Sequence, residues 1–204
     1  MTLFKEDKMK TKMNLPNKLT ILRVIMVPFF LAAMMIPDSL VAEPITRVVA
    51  AVIFALTALT DFIDGKIARK YNLVTNFGKF MDPLADKFMV IAALMGATAR
   101  YTYLTKVFVW ITLIVVFREL AITSLRLIAA NSAGKVIAAA WAGKIKTFSQ
   151  CICILAIFLE PLIPLAIFNE YHIITWASAA VMTFFTIYSG IQYFVAYKEF
   201  LSQE

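Results

Sequence analysis

Charge, cysteine and glycine are scarce in this chain of 204 residues. Only 16% of positions are charged and 61% are hydrophobic, where a soluble domain has about 25% charged and roughly 45–50% apolar residues. The same figures exclude disorder, because disordered chains are poor in apolar residues. Two cysteines, Cys151 and Cys153, cannot build a disulfide framework. They stand two apart, so a helix would point them to different faces, and without a second pair they read as small buried hydrophobes rather than metal ligands. Six glycines and seven prolines exclude a collagen repeat or a flexible linker. The single histidine, His172, has no catalytic partner in view and reads as an interfacial residue beside Tyr171. What remains is an all-α, polytopic integral membrane protein with almost no chain left over for a soluble domain.

The net charge of +7 would point a soluble chain toward nucleic acid. Its distribution argues for a lipid surface instead. Lys5, Lys8, Lys10, Lys12, Lys18 and Arg23 crowd the start, as suits a segment lying against an anionic leaflet. Residues 1–18 read as a short basic amphipathic segment that docks on membrane lipids, and 19–204 as the membrane domain. No small-residue cleavage site follows the first apolar run, which is therefore expected to stay as a span.

Six apolar stretches can each cover the roughly 20 residues that a bilayer core needs: about 19–36, 44–69, 78–100, 104–130, 136–160 and 172–198. None shows the period-two alternation of a barrel strand, so all six are expected to be transmembrane helices. With the N-terminus in the cytoplasm, most Lys and Arg fall on the cytoplasmic side and only Arg47, Arg100 and Lys106 on the other. The positive-inside rule then predicts N-in, C-in. Glu160 and Glu170 flank the last outer connection and are expected to be solvated.

Ionisable groups within spans are expensive and usually mark function. Here four aspartates gather at one end of two consecutive spans. Asp61 and Asp64 are three apart near the end of the second; Asp82 and Asp86 are four apart near the start of the third. Each pair shares a helical face, and the short connection brings the two pairs together. Four facing carboxylates repel one another unless a cation lies between them. Oxygen-only ligands suit a hard ion such as Mg²⁺, Mn²⁺ or Ca²⁺, and two such ions form a known clamp for displacement at phosphorus. Gly65 and Gly78 leave room for a phosphate near the backbone, and Arg69 offers a planar fork for it. One Asp pair at a span end is commonly just a solvated terminus or the partner of a lysine. A proton or cation pathway would also explain the aspartates, though not the flanking glycines and arginine.

The sequence Asp61-x-x-Asp64-Gly65-x-x-Ala68-Arg69, eight residues, then Gly78-x-x-x-Asp82-x-x-x-Asp86 resembles the signature of the CDP-alcohol phosphotransferase family at all eight fixed positions. The six-span plan is also that of the family. The resemblance implies transfer of a phosphatidyl or related group from a CDP-linked donor to an alcohol, with release of CMP. It implies that Asp61, Asp64, Asp82 and Asp86 hold divalent metal, Mg²⁺ or Mn²⁺ and two ions, and that Asp86 is also the general base. Asn17, Gly65, Arg69, Thr75 and Gly78 would receive the donor, CDP-diacylglycerol. A homodimer and a bacterial plasma (inner) membrane location, with the active site facing the cytoplasm, are expected on the same footing.

The signature does not choose the acceptor, so the remaining intramembrane cations must. Arg118 and Arg126 are eight apart and share a face of the fourth span. Lys135 opens the fifth, and Lys144 and Lys146 follow it, with Glu119 as a structural partner. A row of cations suits an anionic acceptor. Gly143-Lys144-Ile145-Lys146-Thr147, with Arg118-Glu119 before it, is similar to the bacterial branch of the family that uses glycerol 3-phosphate. Inositol phosphate and phosphatidylglycerol are the competing acceptors, and Lys144 and Lys146 could instead simply snorkel to the interface.

Overall fold

A computed structural model describes residues 15–70, 76–133 and 141–201, with the side chains of 15–16, 61–70, 76–80, 82–83, 86, 127–133 and 198–201 left aside. Residues 1–14 of the N-terminal basic segment, Thr75 and Lys135 lie outside the described residues, and the last four residues of that segment already belong to the first helix.

The described chain is helical throughout, without a strand. Six long helices carry the fold: α1 (Leu15–Met34), α2 (Glu43–Lys70), α3 (Asn76–Arg100), α4 (Thr102–Ala133), α5 (Trp141–Leu159) and α7 (Ile173–Leu201). A 3₁₀ turn (Glu160–Leu162) and a short α6 (Ala166–Tyr171) occupy the stretch read from sequence as a plain connection. Five helices are long and apolar enough to cross a bilayer, α3 not being among them. In none of the five spans is more than 44% of the residues buried within the protein. Phe29, Trp110, Phe117, Phe148 and Val195 all face outward, an apolar surface that water would penalise and lipid would not.

Local chemistry sets the boundaries. Pro44 sits in the first turn of α2, where its missing N–H costs nothing, and Glu43 favours the positive end of the helix dipole. Pro28 lies inside α1, a placement that neighbouring helices make tolerable in a membrane. His172 adopts a left-handed conformation (φ 48°) and its N–H donates to the Phe168 carbonyl at 3.1 Å, which ends α6.

The long helices pack in a closed cyclic order, α1–α3–α4–α7–α5–α2 and back to α1, with α3 also touching α5 and α2. The principal neighbour of both α2 and α3 is α1, which packs on each more extensively than they pack on each other. Gly96 allows the α1–α3 approach: a Cβ there would lie 3.0 Å from Leu31 Cδ2 and 3.2 Å from Met34 Sδ. Phe30, Phe54, Leu94, Phe108, Ile157 and Met182 fill the centre, and Phe30 meets Phe158 edge-on at 6.0 Å between centroids.

The end remote from the aspartates is closed by polar links. Arg47, which the charge pattern counted on the non-cytoplasmic side, is buried. It donates to Glu43 Oε1 (2.7 and 3.0 Å) and to the Ile157 carbonyl (2.8 Å), and its guanidinium lies 3.9 Å from the Tyr101 ring centroid. Arg100 ties the α1–α2 connection to α3 through the Ile36 carbonyl (2.8 Å) and Asp38. Glu160 corrects the sequence reading: it is 1% exposed, and its carboxylate accepts the N–H groups of Ile174 and Thr175, each at 2.7 Å. It caps α7 from a distance in sequence, satisfying two donors that a helix start leaves open. Glu170 is exposed, as expected. The His172 ring stacks on Tyr103 at 3.9 Å.

Candidate active site

The antiparallel run of α1 into α2 and of α2 into α3 fixes one end of the molecule. Asp61 and Asp64 stand in the last third of α2 and Asp82 and Asp86 in the first half of α3, on either side of residues 71–75. Gly65 and Arg69 share the α2 end and Gly78 the α3 start. These side chains are outside the description, so it is the helix positions that place the four carboxylates at one end. A set of four carboxylates, two from each helix, matches the oxygen ligands preferred by Mg²⁺ or Mn²⁺. Among the described residues no other group of three His, Cys, Asp or Glu could hold a metal. The first turns of α1 bring Asn17, Thr20 and Arg23, all buried, to the same end, while its later turns present Val27, Phe30 and Met34 along the same face.

Beside this end, α3, α4 and α5 converge on one buried carboxylate. Glu119, 6% exposed, takes Lys146 and Arg118 on Oε1, the latter at 3.1 Å, and has Lys87 3.8 Å from Oε2. Lys87 also donates to the Glu119 carbonyl at 3.3 Å and to Thr123 Oγ1. One charge thus gathers cations from three helices, an arrangement that lowers the cost of placing each of them out of water. A small crevice opens here, lined by Lys87, Glu119, Lys146, Thr147 and Gln150 among others.

Arg126 belongs to a second layer. Its NH2 donates to the Tyr193 hydroxyl, and its guanidinium lies 5.0 Å from the Tyr193 ring centroid, with that of Arg118 at 5.5 Å. The predicted Arg118, Arg126 and Lys146 are therefore brought together. Lys144 is exposed and stands apart from them. Cys153 is buried and Cys151 half-buried, and no disulfide joins them.

Sequence reasoning missed Lys87, read only as a basic neighbour of the aspartates, and Tyr193 entirely. The i, i+1 position of Lys87 after Asp86 was visible; its partner on α4 was not.

A sequence model of the CDP-alcohol phosphatidyltransferase family matches residues 13–188. The chain is 39% identical over 191 residues to the CDP-diacylglycerol–glycerol-3-phosphate 3-phosphatidyltransferase of Bacillus subtilis (strain 168), covering 89% of this chain and 93% of that one. It is 36% identical over 196 residues to the protein of the same name from Yersinia enterocolitica, covering 93% and 98%. For the protein of that name from Salmonella paratyphi A the identity is 35% over 188 residues, covering 90% and 94%.

Proposed function

The chain belongs to the CDP-alcohol phosphatidyltransferase family, and from that membership we propose that it transfers a phosphatidyl group from CDP-diacylglycerol to glycerol 3-phosphate, yielding phosphatidylglycerol phosphate and CMP. The choice of acceptor rests on one observation above others. Three interior cations, Lys87, Arg118 and Lys146, converge on the carboxylate of Glu119, and Arg126 shares the Tyr193 ring with Arg118. The Nε groups of Arg118 and Arg126 are buried with no hydrogen-bond partner, a cost that an anion between them would offset. A phosphate-bearing acceptor supplies that anion; serine or choline would not need it. The names of the relatives point the same way.

Asp61, Asp64 and Asp82, with Asp86, would hold one or two Mg²⁺ or Mn²⁺ ions, which when bound neutralise the pyrophosphate of the donor and the departing CMP. Asn17, Gly65, Arg69, Thr75 and Gly78 receive the CDP part. Asp86 takes the proton from the acceptor hydroxyl. The freed oxygen bonds to the phosphorus that bears diacylglycerol, and the bond from that phosphorus to the CMP oxygen breaks. Arg118, Arg126, Lys146 and Lys87 hold the acceptor's phosphate, with Lys135 and Lys144 at the edge of the site. The chain crosses a bacterial plasma membrane six times, N-in and C-in, with this end toward the cytoplasm. Donor acyl chains thereby stay in the bilayer while the head group reaches the site. The working unit is a homodimer.

The test is CMP release by purified protein given CDP-diacylglycerol, with and without Mg²⁺ or Mn²⁺, and with glycerol 3-phosphate, inositol phosphate, serine and phosphatidylglycerol offered separately. Metal-dependent release with glycerol 3-phosphate alone is expected. Release with a different acceptor would overturn the assignment, and silence with all four alongside cation flux across vesicles would move the aspartates to transport. Asp86→Asn should abolish transfer while CDP-diacylglycerol still binds.

A further inference from the structure

We propose that Tyr193 of α7 is a positioning residue for the anionic acceptor, holding the Arg118 and Arg126 guanidiniums so that their remaining N–H groups converge on its phosphate. This rests on the acceptor reading given above. Tyr193 is 2% exposed, although it carries a hydroxyl and lies among charged groups. Its hydroxyl accepts from Arg126, and its ring lies within 5.5 Å of both guanidinium carbons, inside the range of cation–π attraction. The two arginines stand eight residues apart on α4, about 12 Å along the axis. A single aromatic face on the neighbouring helix draws their heads toward one another.

The rest of the cradle has the same geometry. Gly190, three residues before Tyr193 and so on the same face of α7, lets that helix come against the stem of Arg118: a Cβ there would lie 3.4 Å from Arg118 Cγ. Tyr197 is buried one turn further on and backs the Tyr193 ring, the two nearly parallel (15°) at 6.3 Å. Across the site Gly143 of α5 opposes Tyr193 and Arg118; a Cβ at this position would be 3.9 Å from Tyr193 Cε2 and 4.0 Å from Arg118 NH2. The glycine thereby leaves the space above the ring without a side chain.

The hydrogen-bond count points to a ligand. The Nε atoms of Arg118 and Arg126 are both buried with no hydrogen-bond partner. A buried guanidinium N–H left open is costly, and phosphate is, with carboxylate, one of the two groups whose geometry a planar guanidinium matches. With Arg118 already committed to Glu119 through NH1 and Arg126 to Tyr193 through NH2, the open donors are held in fixed directions before the acceptor arrives. Tyr193 itself makes no contact with reacting atoms in this scheme.

The test uses full-length protein in detergent with Tyr193→Phe and Tyr193→Leu, reading KM and kcat separately for glycerol 3-phosphate and CDP-diacylglycerol. Tyr193→Phe keeps the ring and loses the acceptor for Arg126, so its KM for glycerol 3-phosphate should rise about fivefold. Tyr193→Leu also loses the ring and should raise it by about tenfold or more. The donor KM should stay within about twofold in both. In an Arg126→Lys background Tyr193→Phe should add little further. Equal changes in both KM values, or a KM unchanged by Tyr193→Phe, would overturn the proposal, since a merely structural tyrosine would not single out one substrate. Inactivity of the wild type with glycerol 3-phosphate would refute the acceptor reading instead. Binding of inorganic phosphate by wild type and Tyr193→Phe, measured by calorimetry, would then decide the proposal: it stands if the variant binds more weakly and falls if the two bind alike.

Discussion

Replacing Glu119 by Gln removes one charge and almost no volume, which makes it the sharpest perturbation of the cation cluster. Glu119 is 6% exposed and faces Lys146, Arg118 at 3.1 Å and Lys87 at 3.8 Å. The amide oxygen can still accept a hydrogen bond, but three interior cations lose the carboxylate that gathers them. Removing one partner of a buried ion pair costs about 3–5 kcal/mol, and retention of the hydrogen bond places this case near about 3 kcal/mol. For a chain of this size that corresponds to a fall in Tm of about 6–12 °C, read by thermal unfolding of the purified protein in detergent. Lys146→Met should cost roughly half as much, because Glu119 keeps Arg118 and Lys87. The double variant should lose less than the sum of the two single losses, since each single change removes the same pair. If Glu119→Gln cost no more than Lys146→Met, or left Tm unmoved, the carboxylate would not be the organising charge of the cluster.

Glu160→Ala should lower Tm through loss of the α7 cap, by about 1–2 kcal/mol for two orphaned N–H groups, while the KM values of the folded protein stay unchanged; a selective rise in one KM would refute a purely structural role. Gly96→Ala should be mild, because the nearest atoms are the ends of the Leu31 and Met34 side chains, whereas Gly96→Leu should force α1 from α3 and cost about 1–3 kcal/mol, seen again in Tm. Burial holds the His172 ring below its ordinary value of 6.5, despite the pull of Glu160. Its NMR titration midpoint should therefore lie below 6.5. Because the folded state then binds fewer protons than the unfolded, the stability His172 contributes is complete above pH 6.5 and is lost as pH falls toward the folded midpoint; a midpoint at or above 6.5 would contradict this.

The spans were legible in the sequence because a membrane imposes a local rule: each helix must carry enough consecutive apolar residues to cover its own backbone. The expected stretch of 44–69 became α2 at Glu43–Lys70, one of the five helices apolar enough to cross a bilayer, whereas 78–100 became a helix, α3 at Asn76–Arg100, that is not among the five. The grouping of the aspartates was equally local, since spacings of three and four and one short connection place both pairs at the same end. Where the sequence stayed silent, the deciding partner was on another helix. Glu160 reads as a loop charge until α7 begins beside it, and Arg47 as one of three cations on the outer side until α5 offers the Ile157 carbonyl.

Local pattern could show that α2 and α3 meet, but only packing makes α1 the main neighbour of both. In the same way Lys87, Arg118 and Lys146 are three cations along a chain, and the fold makes them one site by turning α3, α4 and α5 toward Glu119. Hydrophobic length and helical period are properties of neighbouring residues and are written in the sequence. Shared charges and aromatic supports such as Tyr193 depend on which helices become adjacent, which only the closed ring decides.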